Sequence, residues 1–345
     1  MSMVRKAVKF LPGLLLSLVI ALVAKTIEDL LPIPLISASV IAMFIGMFLN
    51  AVWKPTETFT TGIRFTSKKV LKLAIILLGA SLNIATVLTV GRNSLLVMVF
   101  TLATCFGLGY ISGRIFKLNW KMSNLISAGT GICGGSAIAA IAPVIDADDL
   151  DIAFGLSATF IFDMVMIVLF PIMGRALGLT DVMYGLWAGT AVNDTSSVVA
   201  AGFAFSEAAG DYATMVKLTR TLAIVPTVII FALVNMHLKK KENPALAEGK
   251  LKVNITSIFP WFILGFLAMS GINSLGLIPA SVSTLCKDIS KFMMIMALAA
   301  IGLNTSFKDM RKAGPGPMMH GFVISLLVVV VAIAVILLEK SWGML

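Results

Sequence analysis

The sequence predicts an all-α polytopic membrane protein, a transporter with an inverted-repeat core and a scaffold, and three observations carry that prediction. Of its 345 residues 59% are hydrophobic and only 13% charged, with a mean hydropathy of +1.00, too apolar for a soluble chain of this length. Apolar runs of bilayer-crossing length alternate with short loops that hold most of the Lys and Arg. Two polar interruptions fall inside such runs, Ala128-Gly129-Thr130-Gly131-Ile132-Cys133-Gly134-Gly135-Ser136 and Ala188-Gly189-Thr190-Ala191-Val192-Asn193-Asp194-Thr195-Ser196, and each leaves through Ser-x-(Ile/Val)-x-Ala. An unwound backbone survives at membrane depth only when buried in protein or lining a cavity, so paired breaks point to a transporter's substrate site.

In order, the spans are expected near 10–27, 33–53, 69–89, 93–115, 121–145, 150–175, 181–204, 213–237, 256–276, 284–305 and 317–338, about eleven in all. The first follows Arg5, Lys6 and Lys9 and runs on to Val23 without a small-x-small cleavage site, so it reads as a retained span. Basic clusters close alternate ends: Lys54/Arg64/Lys68/Lys69, Arg114/Lys117/Lys121, Lys239/Lys240/Lys241/Lys250/Lys252 and Lys308/Arg311/Lys312. The positive-inside rule then gives a cytoplasmic N-terminus and an external C-terminus in the cell membrane, with Asp146, Asp148, Asp149, Asp151, Glu207 and Asp211 outside. If 121–145 and 181–204 fold back instead of crossing, only span 150–175 reverses. That costs a single basic residue, Arg175, so charge bias leaves both arrangements open.

Residues 1–345 read as one integral-membrane domain, its core formed around 121–145 and 181–204 and flanked by scaffold helices. The longest polar stretch, about 239–254, is too short to fold alone. The net charge of +10 reflects retained cytoplasmic loops, not nucleic-acid binding. Cys105, Cys133 and Cys286 are widely spaced and only His237 and His320 accompany them, so neither a metal nor a cofactor is expected. No Ser/His/acid set is visible, which argues against an enzyme.

Gly134, Gly135 and Ser136 would open a half-helix inside the membrane, where unpaired N–H groups and a hydroxyl suit an anion; the alternative is a glycine packing kink. Asp194 is a costly carboxylate in an apolar run, beside Asn193, Thr195 and Ser196, and either binds a coupling ion or caps the second half-helix. Lys217 and Arg220 share a helical face and could pair with Asp194 or with a crossing anion, unless Lys217 snorkels. Asp163 lies mid-span as a second acceptor for a proton or sodium, or as a hydrogen-bonded structural carboxylate. Asn83 and Asn304 close two matched segments, Leu78-Gly79-Ala80-Ser81-Leu82-Asn83 and Ile301-Gly302-Leu303-Asn304, and either coordinate a cation, line the cavity or cap helix C-termini.

Gly131-Ile132-Cys133-Gly134-Gly135-Ser136-Ala137-Ile138-Ala139-Ala140, Val192-Asn193-Asp194-Thr195-Ser196-Ser197-Val198-Val199-Ala200-Ala201-Gly202 and Val216-Lys217-Leu218-Thr219-Arg220 resemble the YeiH-type sulfate exporter family over nearly the whole chain. That family is grouped with the cation/proton antiporter and anion transporter superfamily, whose members use inverted repeats and discontinuous helices. The resemblance implies export of sulfate, sulfite or an organosulfur anion. Relatives often carry His before the acid where this chain has Asn193-Asp194, so no titrating imidazole is carried over. The expected function is a secondary active transporter of a small anion, coupled to H+ or Na+ by alternating access. An anion channel, a carrier of another organic acid and an integral-membrane enzyme stand as alternatives. The expected partners are the anion, the lipid bilayer and, left open, a second copy in a homodimer.

Overall fold

The apolar runs fold as helices. In a computed structural model, described over residues 2–30, 38–53, 55–242, 261–305 and 315–343, every regular element among the described residues is helical. Five helical stretches among them are long and apolar enough to cross a bilayer: Lys9–Leu30, Ile84–Ile115, Leu150–Ala176, Glu207–Leu238 and Pro315–Ser341. Lys54, Lys250, Lys252, Lys308, Arg311 and Lys312 of the basic clusters lie outside the described residues.

One bundle contains α1 (Ser2–Leu30), α2 (Ala38–Trp53) and α3 (Glu57–Phe65), which continues through a π turn at Thr66–Val70 into α4 (Leu71–Gly79). Helices α14 (Trp261–Ser274) and α15 (Ala280–Asn304) complete it. Glycines set its helix spacing. A Cβ on Gly302 would lie 2.1 Å from Met43 O, one on Gly46 2.4 Å from Ala299 O, and one on Gly13 2.3 Å from Phe59 O. Backbones therefore touch where α2 crosses α15 and α1 crosses α3, the small-residue packing that lets membrane helices associate without a hydrophobic drive. Helix α15 runs antiparallel to α3–α4, tied by Ser283 Oγ to Ala80 O (3.0 Å), Ser290 Oγ to Ala74 O (2.6 Å) and Asn304 Nδ2 to Ser67 Oγ (3.2 Å).

The third span differs from the expected 69–89. Its helix begins at Glu57 and stops at Gly79, because Ala80, Ser81 and Leu82 turn their N–H groups back three residues and Asn83 caps the next helix, accepting from Ala85 N at 2.8 Å. Lys68, Lys69 and Lys72 on this helix blur its apolar signal.

The second bundle contains α5 (Ile84–Ala103), a π turn at Thr104–Leu108 and α6 (Gly109–Ile115). Then come α7 (Trp120–Ala128), a π turn at Gly129–Cys133, α8 (Gly135–Ile141) and α9 (Asp149–Ala176). Helices α10 (Asp181–Ala191), α11 (Thr195–Phe205), α12 (Glu207–Thr221), α13 (Ile224–Glu242) and α16 (Pro315–Ser341) complete it.

Both interrupted segments fold back on themselves. At the foot of the first, Lys121 Nζ donates to Asp146 O (2.6 Å) and Asn119 Nδ2 to Asp151 Oδ1 (2.9 Å). At the foot of the second, Ser206 Oγ meets Asp181 Oδ1 (2.5 Å), Tyr184 donates to Ala201 O (2.9 Å) and its ring stacks on Phe205 at 3.9 Å. The expectation that Asp146 and Asp151 lie on the opposite side from Lys121 is therefore corrected. Helix α9 joins the two feet: Asp151 opens it at the first, and near its end Arg175 donates to Ala204 O (3.0 Å) at the second. Its 28 residues rise about 42 Å, enough to cross a bilayer, so the hairpins enter from opposite ends.

The bundles meet along the second hairpin. Val40, Met43, Met47 and Leu298 of the first bundle pack on Ile167, Ala200 and Ala204 of the second. At the rim, Glu207 pairs with Lys287 (2.5 Å) and Lys291 (2.6 Å), and Asp211 with Lys287 (3.3 Å). Among the described residues no comparable packing against the first bundle covers α8, where Ser136 and Ala139 are exposed.

Gly302→Ala is expected to destabilise the protein by about 1 to 3 kcal/mol, since α2 must move to admit the new methyl. Gly107→Ala, where a Cβ meets nothing within 4 Å, should leave the unfolding midpoint in detergent unchanged. Equal midpoints for the two variants would contradict the backbone contact.

Candidate functional site

The two hairpin tips meet at the centre of the second bundle. Each tip is a helix end at membrane depth, so its carbonyls and N–H groups need partners from within the protein. Lys217, fully buried on α12, supplies the carbonyl partner: Nζ donates to Ile132 O (2.8 Å) and Val192 O (3.0 Å). Ile132 and Val192 are the fifth residues of the two Ala-Gly-Thr copies, so one amino group joins equivalent points of both motifs. Arg220, one helical turn on and also fully buried, donates from Nη2 to Thr130 O (2.9 Å). Helix α12 reaches the tips because it lies beside α10 and α11 through small residues: Gly185 and Gly189 face Tyr212 and Val216, and Gly202 faces Gly210.

The amide end is held by Asp163. One carboxylate oxygen accepts from Asn193 N (2.8 Å) and the other from Asp194 N (2.7 Å), so the mid-span acid of α9 caps the start of α11 from a different helix. Asn193 Nδ2 reaches Thr159 O on the same helix at 3.4 Å. Asp194 caps α11 locally: Oδ2 accepts from Ser196 N (2.9 Å) and from the Ser196 hydroxyl. Among the described residues its Oδ1 accepts no hydrogen bond, and the carboxylate is half-buried, open on one side.

Gly134 and Asp194 occupy the same position in the two copies and touch. Gly134 has φ of 62°, and a Cβ there would come within 3.0 Å of Asp194 Cβ and Oδ1, so glycine is required both by the backbone and by the space. Beyond it Gly135 is half-buried and Ser136 exposed, and no side chain caps α8. The accessible groups at the crossing are thus Gly135, Ser136, Asp194 and Thr195.

The structure brings together Gly134, Gly135, Ser136, Asn193, Asp194, Thr195, Ser196, Lys217, Arg220 and Asp163. It separates Asn83 and Asn304. Asn83 is exposed as the cap of α5, and Asn304 is exposed at the opposite end of the α4–α15 pair on Ser67. Lys217 and Arg220, expected to face a crossing anion, donate to main-chain carbonyls beneath the tips, while Nε and Nη1 of Arg220 are buried with no hydrogen-bond partner among the described residues. Asn193 and Ser196 are likewise buried.

Sequence reading passed over Thr130, whose carbonyl receives Arg220, and Thr159. The first stood in the repeated motif itself; nothing in the sequence marks the second. His320, which the sequence gives no role, ties the first hairpin to its neighbours: Nδ1 lies 2.9 Å from Ser112 Oγ and Nε2 3.2 Å from Ser123 Oγ. Cys105 backs the tip, its Sγ 3.2 Å from where a Gly131 Cβ would be.

The family model described as conserved hypothetical protein 698 matches residues 12–321. A UPF0324 membrane protein of Clostridium tetani is 56% identical over 333 residues, covering 95% of this chain and 96% of the relative. A UPF0324 membrane protein of Streptococcus agalactiae serotype V is 38% identical over 341 residues, covering 96% and 98%. The chain belongs to this family, and it is a membrane-embedded, all-helical protein.

Asp163→Asn is expected to destabilise more than Asp194→Asn. The Asp163 amide would turn a donor toward one of two N–H groups, a loss of about 1.5 to 3 kcal/mol for a charge-assisted bond. Asn at 194 can still accept from Ser196 N. Unfolding midpoints of the two purified variants decide it, and the reverse order would refute the cross-helix cap.

Proposed function

We propose that the protein is a secondary active transporter of a small anion, working by alternating access with a proton or sodium as coupling ion. The observation that supports this most is the convergence of two like hairpins, entering from opposite ends, on buried charges of both signs. Such discontinuous helices place a binding site at mid-membrane, with fixed dipoles and little water.

The anion is best received by the exposed side of the first tip, by the peptide N–H groups of Gly135 and Ser136 and the Ser136 hydroxyl. Lys217 and Arg220 contribute positive potential from below without giving up their carbonyls. Asp194 sits against this place, and an anion about 5 Å from its carboxylate meets repulsion of about 3 kcal/mol at an effective dielectric near 20. Loading therefore favours a cation on Asp194, and this links the two fluxes. The resemblance to sulfate exporters suggests sulfate, sulfite or a small sulfonate, and outward transport. A divalent anion leaving with one proton still carries a net negative charge outward, which an interior-negative potential of 100 mV favours by about 2.3 kcal/mol.

The second bundle is read as the moving core and the first as the scaffold, in the cell membrane with the N-terminus inside. In that orientation the exposed Ser136 side faces the cytoplasm, while the apolar seam and the Glu207–Lys287–Lys291 ion pairs close the outer side.

The test is flux of labelled sulfate and sulfite in proteoliposomes, with small sulfonates and carboxylates as competitors. Saturable flux that responds to a proton or sodium gradient is expected. Asp194→Asn should retain anion exchange and lose the gradient response. Absence of saturable flux for every anion, or an Asp194→Asn variant that follows the gradient as wild type does, would sink the reading.

A further inference from the structure

Carbonyl ends of broken helices are where transporters of this general design hold a monovalent cation. Here the place is taken. Lys217 Nζ lies 2.8 Å from Ile132 O and 3.0 Å from Val192 O, the corresponding carbonyls of the two motif copies. Several other oxygens around the crossing are committed too. Thr130 O is held by Arg220, Thr159 O by the Asn193 amide, and both oxygens of Asp163 by the Asn193 and Asp194 N–H groups. Each of these donors is fixed on a helix or a tip, so an entering sodium ion would have to displace several at once.

We infer that Lys217 is a built-in counter-cation occupying the carbonyl seat between the tips, so that the protein works without sodium and its exchangeable cation is a proton on Asp194. This rests on the transport reading above and selects between its two coupling ions. The ammonium group suits the seat: it offers three donors, sits on a stem long enough to reach from α12, and cannot leave with the substrate. Full burial of Lys217 keeps water from competing for the two carbonyls. Asp194, by contrast, is only half-buried and its Oδ1 accepts no bond among the described residues, a lone free carboxylate oxygen that falls short of the several oxygens a metal cation needs. Two further oxygens, Thr130 Oγ1 and Asn193 Oδ1, are buried and unpartnered, one on each tip. They are the ligands that would make a sodium site if the inference fails.

The experiment is thermal unfolding of purified full-length protein in sodium, potassium, ammonium or choline chloride at equal ionic strength, for wild type, Lys217→Ala and Lys217→Ser, with wild-type anion flux measured in sodium and in choline. Wild type is expected to unfold at the same temperature in all four salts, with fluxes equal within twofold. Lys217→Ala should unfold at a lower temperature in choline and recover by about 3 °C or more in sodium or ammonium, which enter the vacated seat. Lys217→Ser serves if the alanine variant does not fold; if neither folds, wild-type flux and stability decide. Sodium stabilisation of wild type, more than a twofold sodium effect on flux, or a folded variant rescued by no cation would each overturn the inference. Absence of any anion flux would refute the transport reading instead, while the stability measurements would still report on the seat.

Discussion

A helix that stops inside a bilayer leaves peptide carbonyls at one end and peptide N–H groups at the next, and hydrocarbon satisfies neither. This protein contains two such interruptions, and much of the second bundle serves to complete them. Lys217 and Arg220 bring donors to the carbonyl ends, and Asp163 brings a two-oxygen acceptor to the amide end. These charges are expensive at membrane depth, and they are tolerated because each is matched to main-chain dipoles that would otherwise be bare. Helices α9 and α12 are consequently placed by their side chains as well as by their packing.

That arrangement leaves the molecule lopsided. The second hairpin is backed by α2 and α15 through an apolar seam and by ion pairs at its rim, whereas the first carries an exposed edge on α8. Exposed ion pairs contribute little, about 0 to 1 kcal/mol, so the clasp at Glu207 is weak enough to open. The backbone contacts at Gly46 and Gly302 are of another kind. They lock helices within the first bundle and favour its standing as one rigid body.

Much of this was legible in the residues. The repeated Ala-Gly-Thr motif marked both tips, and the same register in the two copies places Ile132 opposite Val192 and Gly134 against Asp194. The fold-back was not legible, because crossing and returning differ by the side of one basic residue, Arg175, and only contacts such as Lys121 with Asp146 separate them. The asparagine echo misled for a physical reason. Asn83 satisfies a helix start, while the glycine before Asn304 is there to let α15 touch α2, so similar short strings arose from separate local demands. The roles of Lys217 and Arg220 were half visible: their shared face was plain, but their carbonyl partners belong to distant hairpins.

The sequence separation of those partners bears on how the protein is made. The tip carbonyl at Ile132 is 85 residues upstream of the lysine that completes it, and the one at Val192 is 25. During synthesis from the N-terminus the first hairpin is therefore finished long before its cation emerges, and the second shortly before. Until α12 is inserted, both tips have incomplete backbone pairing and are poorly suited to lipid. The nascent chain must shelter them in a wetter or protein-lined surrounding, and the arrival of Lys217 is the event that lets the pair settle into the membrane as a unit.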